Sequence, residues 1–574
     1  MVPKLVLWMR TFFRKNWKLL LAALVITSLF CYPYLVKDFL GVEHDTFFHL
    51  SRIQGLAESF SRGDFLPAVY PYKNNGFGYA SPLFYSDFWL VIPALLYNAG
   101  LSLASCYKFF IFCCVYFSCF SMMKLCLRIT KHEYAAILAG AAYVFANYHI
   151  TDVYVRGASG EVLAMVFIPI VLSGFYELLE NQNAKEWKLL AFGLTGLVLS
   201  HNLSFAIVCV ICVLFVLIYI RKIKKDIWIA LFKSVGIAFA LSAFFTLPML
   251  EQLSSQTFYL DYYASSSDLG SQSMELWQYF ANTTVFGLGG NTYEKSNTML
   301  ENVGWFLTFA PLLWLAVPVS KRREHSFVAK CMIIGYIFLI LPSFLIPWNS
   351  MLFLRILQFP WRLEMFAMAL LCIPACASFA FLRLKSKNII IACTALLLSL
   401  EALWHLTPAL NRTFGITSNT AYEQMIDGTI IDPYYSATYV RVECAGGDYL
   451  PSGSPDFRSY SAEIKDAQGN DLSISYEKKG TSLSFSLDAD TENTQIILPI
   501  TYYKGYQVYK IADGRKTAIE TFESNDRMVS FFSTGEGDYI CTYSRTPIQI
   551  GSAAFSLGTA ALLIILAIRK RYNK

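Results

Sequence analysis

The sequence has no CxxC pair in a polar setting, no internal repeat and no small-residue cleavage site after its first apolar run, and charged residues make up only 15% of its 574 positions. The cysteine pattern argues against a zinc centre, because Cys113, Cys114, Cys119, Cys209, Cys212, Cys372 and Cys376 lie inside apolar runs, where cysteine acts as a small core residue. Only Cys444 and Cys541 fall in a large polar segment, and a disulfide between them is left open. Without a cleavage site after Cys31-Tyr-Pro-Tyr34, the basic N-terminus and its apolar run are expected to form a retained signal anchor.

Apolar sequence is what the chain has in abundance. Hydrophobic residues reach 55% and mean hydropathy is +0.43, which suits a bilayer and not a wettable surface. Runs of roughly 20 apolar residues, the length a helix needs to cross hydrocarbon, predict about twelve crossings. They fall near 19–37, 104–127, 133–150, 161–180, 188–203, 204–221, 228–250, 303–320, 327–347, 363–383, 388–405 and 548–568. The net charge of +6 does not point to nucleic acid, since the basic residues cluster at the ends of these runs, as in Lys124/Arg128/Lys131, Lys321/Arg322/Arg323 and Arg569/Lys570/Arg571. Placing these clusters in the cytoplasm predicts a multi-pass cell-membrane protein with both termini inside. Residues 82–100 strain this map, being apolar but carrying Asp87 and Pro93; they are expected to be interfacial or re-entrant, because a full crossing would invert every later loop.

Four outward segments remain: 38–103, 150–160, 251–302 and 406–547. The third is acidic, with Lys295 its only basic residue. The fourth alternates apolar residues at Leu483, Phe485 and Leu487, with turn signals at Gly480 and Asp513-Gly514, and reads as a β-sandwich. The expected organisation is thus a helical membrane domain over 1–405 with a first outer loop at 38–103, a β-rich domain over 406–547, and a final helix with a basic tail over 548–574.

Chemistry-bearing residues gather on the outward side. Gly41-Val-Glu43-His44-Asp45-Thr-Phe-Phe-His49-Leu-Ser-Arg52 follows the first run, with Asp45, His49 and Arg52 at helical i, i+4, i+7 spacing. Further turns carry Tyr148-His149-Ile-Thr-Asp152-Val-Tyr-Val-Arg156-Gly-Ala-Ser-Gly160-Glu161, then His201-Asn202, then Gln358-Phe-Pro-Trp361-Arg362-Leu-Glu364. Ionisable groups at a membrane boundary are costly to desolvate, so this one-sided gathering points to a site. Each piece also has a plain reading: wet residues after a span, an interfacial Arg/Glu pair, or an aromatic-belt anchor at Pro-Trp-Arg.

Together the acidic motif after the first helix, the GFGYASPLFY run, the YHITDVYVRGASGE turn, the FPWR segment and the later DYLP and PITYYKGYQVY stretches resemble bacterial membrane proteins of the GT-C glycosyltransferase superfamily. Within it the chain looks most like the group labelled 6-pyruvoyl-tetrahydropterin-synthase-related. The resemblance implies a sugar donor linked to polyprenyl phosphate or diphosphate, an envelope glycan or glycolipid acceptor, and an acidic catalytic residue in the first outer loop. Position for position that residue is Asp45, with Glu43 next. Substrate binding then falls to His44, His49, Arg52, Arg156, Glu161, His201, Trp361 and Arg362, with the phosphate assigned first to Arg156 and second to Arg362 through the planar guanidinium fork. A divalent cation held by Glu43, Asp45 and histidines is neither required nor excluded by the spacing. The rival readings are a lipid or polysaccharide transporter and a non-catalytic envelope scaffold. Transporters tend to show repeated halves with charge at the midplane, whereas this chain keeps its ionisable residues at one face.

The topology is checked by single-cysteine labelling in a cysteine-free background. The segment 406–547 should label from outside, and labelling of Gly100 from the cytoplasm together with Arg128 from outside would overturn the map.

Overall fold

The computed structural model describes residues 2–261, 268–281, 299–430 and 442–572; of the acidic third loop, residues 262–267 and 282–298, Lys295 among them, lie outside the described residues. It is a polytopic helical membrane protein with a C-terminal sheet domain. The chain divides into two compact units, one of Met1–Thr46, Ala104–Ala238 and Ser267–Ser436, the other of Phe47–Leu103, Phe239–Ser266 and Ala437–Lys574.

Seven described helices are long and apolar enough to cross a membrane: Leu103–Thr130, Ser159–Glu180, Asn202–Lys222, Lys225–Ser255, Pro360–Phe381, Lys387–His405 and Pro547–Arg569. In the first unit the most apolar windows of Ser159–Glu180 and Pro360–Phe381 are 89% and 94% buried, so these two helices form its centre. The corresponding window of Lys387–His405 is only 17% buried, and a helix that is apolar yet uncovered by protein presents its side chains to lipid. The other anticipated crossings fall on different elements. Residues 19–37 lie on the charged 29-residue helix Val2–Phe30 and the short Tyr32–Val36. The remainder fall on the shorter apolar helices Glu133–Val144, Trp187–Val198, Trp305–Ala316 and Ser326–Ile340. A 12-residue helix such as Glu133–Val144 rises about 18 Å, short of the roughly 30 Å of hydrocarbon. Helices Ser159–Phe175 and Trp187–Val198 approach backbone to backbone through glycines. A Cβ on Gly174 would lie 2.9 Å from Leu190 N, and one on Gly193 would lie 2.9 Å from Val171 N.

The second unit carries the sheets. Strands β1 (Tyr476–Lys479), β2 (Ser482–Leu487), β3 (Gln495–Thr501), β4 (Tyr506–Ala512), β5 (Arg515–Ile519), β6 (Thr521–Glu523), β7 (Met528–Phe532) and β8 (Gly537–Tyr543) form two antiparallel sheets, ordered β1-β2-β8-β4-β5 and β3-β7-β6. Leu483, Phe485 and Leu487 of β2 point into a shared core with Ile496 and Leu498 of β3 and Phe531 of β7. Asp513 and Gly514 both take positive φ, 49° and 71°, in the two-residue turn between β4 and β5. Cys444 and Cys541 are both buried, in separate apolar clusters, and are not joined to each other by a disulfide.

Residues 88–98 form a 3-10 turn followed by the eight-residue helix Val91–Asn98, which rises about 12 Å and is too short to cross hydrocarbon. The preceding Asp87 is buried. It accepts from Arg52 Nε at 2.8 Å and from the Tyr70 hydroxyl at 2.5 Å, while Arg52 Nη2 donates to Ser86 O at 2.7 Å. Removing one partner of such a pair leaves a buried charge uncompensated. Asp87→Asn is therefore expected to lower stability by about 3–5 kcal/mol, and the apolar double variant Arg52→Met/Asp87→Leu to recover much of the loss, in thermal unfolding of the purified protein. Unchanged melting of Asp87→Asn would contradict this.

Candidate active site

The site is built from two backbone turns laced together in the first unit. His44 N donates to Val155 O at 3.2 Å, and Asp45 N to Arg156 O at 2.8 Å. Gly157 takes a φ of +60°, and a Cβ there would lie 3.0 Å from Glu43 Cβ and 3.3 Å from Thr46 N. Glycine is required both by conformation and by the closeness of the 43–46 stretch. The helix begins at Thr46, so Asp45 stands just ahead of it instead of on it. The local hydrogen bonds account for that start: the Thr46 hydroxyl accepts from Glu43 N at 3.0 Å and donates to Glu43 Oε2 at 2.7 Å.

Asp45 is half-buried, and no side chain among the described residues hydrogen-bonds to its carboxylate. Burial holds its pKa above the ordinary 3.8, while the nearby Arg156 and Arg362 pull it back and Glu161 adds to the rise. Burial, aided by Arg156, pushes His44 down to about 4, so His44 is neutral at pH 7. Glu43 is buried and turned to Thr46 and to Arg412, whose Nη1 lies 3.5 Å from Oε1.

Beside Asp45 lies a shared carboxylate. Glu161, in the first turn of helix Ser159–Phe175, receives both ends of the Arg156 fork, Nη1 to Oε2 and Nη2 to Oε1, each at 2.8 Å. Arg362 Nε donates to the same Oε1 at 3.1 Å, and the Tyr148 hydroxyl to Oε2 at 3.0 Å. Arg156 Nη1 also bonds Asp152, and its guanidinium stacks 4.8 Å over Trp361. Arg156 is thus saturated on one edge. Arg362 is not: Nη1 serves Leu357 O at 2.9 Å and Gln358 Oε1 at 2.8 Å, but Nη2 has no hydrogen bond among the described residues. His201 caps helix Asn202–Tyr219 through Ser204 and lies within electrostatic reach of Glu161.

Asp45, His44, Arg156, Glu161, Trp361, Arg362 and His201 therefore share one locality. His49 and Arg52 belong to the second unit, where Arg52 holds Asp87, meets His49 Nδ1 at 3.1 Å and lies 4.2 Å over the Tyr85 ring. Sequence reasoning did not assign Tyr148, Asp152, Arg412 or Glu301. Asp152 was within reach of a spacing argument, four residues before Arg156 on helix Asn147–Tyr154. Arg412 and Glu301 come from distant sequence and carry no local signal. Among the described residues no three His, Cys, Asp or Glu side chains are grouped as a metal site. Chemically, the locality offers a carboxylate that no described side chain hydrogen-bonds, within electrostatic reach of an arginine whose Nη2 has no partner among the described residues.

The chain belongs to a family of unknown function (DUF6541), whose model matches residues 17–410. It is 26% identical over 359 residues to an uncharacterized protein of Lactococcus lactis subsp. cremoris (strain MG1363), a match covering 59% of this chain and 56% of that protein. Among solved structures it is similar to the mycobacterial arabinofuranosyltransferase AftD, with a TM-score of 0.48, 14% identity and coverage of 93% of this chain but 40% of that one. It is also similar to ArnT from Cupriavidus metallidurans bound to undecaprenyl phosphate, with a TM-score of 0.39, 13% identity and coverage of 76% and 78%. The chain thus spans little more than half the length of the Lactococcus relative and less than half of AftD.

Because the two turns meet at Gly157, Gly157→Ala is expected to destabilise the protein by at least the roughly 1–2 kcal/mol that a left-handed conformation costs an L-residue. A melting temperature equal to wild type would show that the turns are not packed as described.

Proposed function

We propose that the protein is an inverting glycosyltransferase that moves a sugar from a polyprenyl-phosphate donor to a cell-envelope polymer or glycolipid on the outer face of the membrane. The observation that carries this reading is the Asp45 carboxylate, which no described side chain hydrogen-bonds, within electrostatic reach of Arg362, whose Nη2 has no hydrogen bond among the described residues. The resemblance of the Glu43-His44-Asp45 and FPWR motifs to GT-C enzymes supports it. Kinship with the group labelled 6-pyruvoyl-tetrahydropterin-synthase-related, and cytoplasmic termini, rest on sequence pattern alone.

In the proposed step Asp45 takes the proton of an acceptor hydroxyl as that oxygen attacks the anomeric carbon from the face opposite the phosphate. The bond from carbon to phosphate oxygen breaks and its electron pair leaves with the polyprenyl phosphate. One base suffices, because a phosphate leaves without being protonated. Arg362 is assigned to the departing phosphate, since its fork still has donors to give. Arg156 is assigned to positioning, its fork being spent on Glu161 and its carbonyl on Asp45 N. Glu43, committed to Arg412 and Thr46, is a poorer base than Asp45. Acceptor glycan is assigned to the C-terminal sheet domain on the strength of the resemblance.

Asp45→Asn is expected to leave folded protein whose transfer from a radiolabelled polyprenyl-phosphate sugar falls by roughly the 100- to 10,000-fold typical of a lost general base. Arg362→Lys should mainly raise the donor KM, because charge survives and the bidentate fork does not. Only the ionised carboxylate accepts a proton, and its pKa is raised; wild-type activity should therefore fall with decreasing pH on a limb lying above the ordinary aspartate value of 3.8. Near-equal rates for wild type and Asp45→Asn, normalised to folded protein, would remove Asp45 as the base.

A further inference from the structure

Glu364 begins helix Glu364–Phe381, two residues after Arg362, and is completely buried. Both of its carboxylate oxygens lack a hydrogen-bond partner among the described residues, and so does the buried hydroxyl of Tyr279. Glu301 lies within electrostatic reach of both Glu364 and Tyr279, and also of Arg156. Its Oε2 accepts from Gln278 Nε2 at 2.7 Å, and no described residue bonds its Oε1. The segment is firmly seated: Asn302 Nδ2 donates to Gln278 O at 2.7 Å, Asn147 Nδ2 to Asn302 Oδ1 at 2.9 Å, and the Thr151 hydroxyl to Leu300 O at 2.6 Å. Several polar atoms are therefore held in place with no bonding partner among the described residues, a costly arrangement unless something fills it.

We propose that Tyr279, Glu301 and Glu364 form a subsite for the ring hydroxyls of a sugar. Tyr279 and Glu301 are half-buried, so the cluster runs from an accessible edge inward to Glu364. The donor set favours hydroxyls over the other small ligands. No positively charged side chain among the described residues bonds either carboxyl group to attract a phosphate, and no third metal-ligating side chain joins them among the described residues. Burial pushes Glu301 up to about 8, so it carries a proton at neutral pH and, like the phenol, both donates and accepts. A sugar hydroxyl has the same double capacity. The anion end at Arg362 and the hydroxyl end would then be linked through Glu161, which both arginines share, and through Arg156, which lies within electrostatic reach of Glu301.

This inference rests on the glycosyl-transfer reading for its meaning, but its test does not require turnover. The full chain in nanodiscs is titrated with methyl glycosides of glucose, galactose, mannose, rhamnose and arabinose, and binding is read by saturation-transfer difference NMR. At least one glycoside should bind wild type. Glu364→Gln and Tyr279→Phe should each weaken it by roughly tenfold, the scale of one lost hydrogen bond to a charged or buried partner. Both variants are close in shape to the native residues, and equal melting temperatures establish that they fold. No binding by any glycoside, or equal binding by folded Glu364→Gln and Tyr279→Phe, would overturn the subsite. Binding that depends on Glu364 in a protein without transferase activity would uphold the subsite while defeating the proposed reaction.

Discussion

The carboxylate of Glu161 is the constraint on which the candidate site depends. It is buried, it takes both prongs of Arg156, and it accepts in addition from Arg362 and Tyr148. These partners come from three separate stretches: helix Asn147–Tyr154, the turn after it, and the 3-10 segment Pro360–Leu363. Glu161 stands in the first turn of its helix, where the helix dipole favours a negative charge. Through Arg156 the constraint reaches the backbone of Asp45, whose N–H is held by the Arg156 carbonyl. Within this network Asp152 and Glu161 balance Arg156 and Arg362, and Asp45 makes no ion pair among the described residues.

The two arginines divide the work because their surroundings differ. A guanidinium with both Nη nitrogens engaged by carboxylates is a structural brace, and one with an Nη nitrogen to spare is a binding group. Arg156 sits between two carboxylates and against Trp361, while Arg362 leans on Phe359 at 4.9 Å and on backbone and amide oxygens, keeping Nη2 unspent.

Much of the fold was legible because lipid imposes long, continuous apolar runs. The run read as 388–405 is the helix Lys387–His405, and that read as 548–568 lies within Pro547–Tyr572. Where helices are short the reading blurred: hydropathy does not register the break after Val144 that starts a new helix at Asn147, nor the 3-10 stretch Ala310–Ala316 that follows Trp305–Phe309. The β4–β5 hairpin was legible in Asp513-Gly514, since few other residue pairs tolerate two positive φ angles. In the site, Asp45, Arg156, Glu161 and Arg362 stood out as charges at span ends. The helical spacing of Asp45, His49 and Arg52 misled, because the Thr46 hydroxyl opens the helix one residue later and Arg52 finds its partner in Asp87, 35 residues on. Tyr279, Glu301 and Arg412 reach the site through tertiary packing alone, which no local pattern encodes.

The central claim is that Arg362, and not Arg156, meets the donor phosphate next to Asp45. A cryo-EM map of the protein in nanodiscs with a polyprenyl phosphate tests it most directly. The account predicts phosphate density within about 3 Å of Arg362 Nη2, on the side facing Asp45, with the Arg156 fork still closed on Glu161. Phosphate bound to an Arg156 that has released Glu161, or bound away from Arg362 altogether, would contradict it.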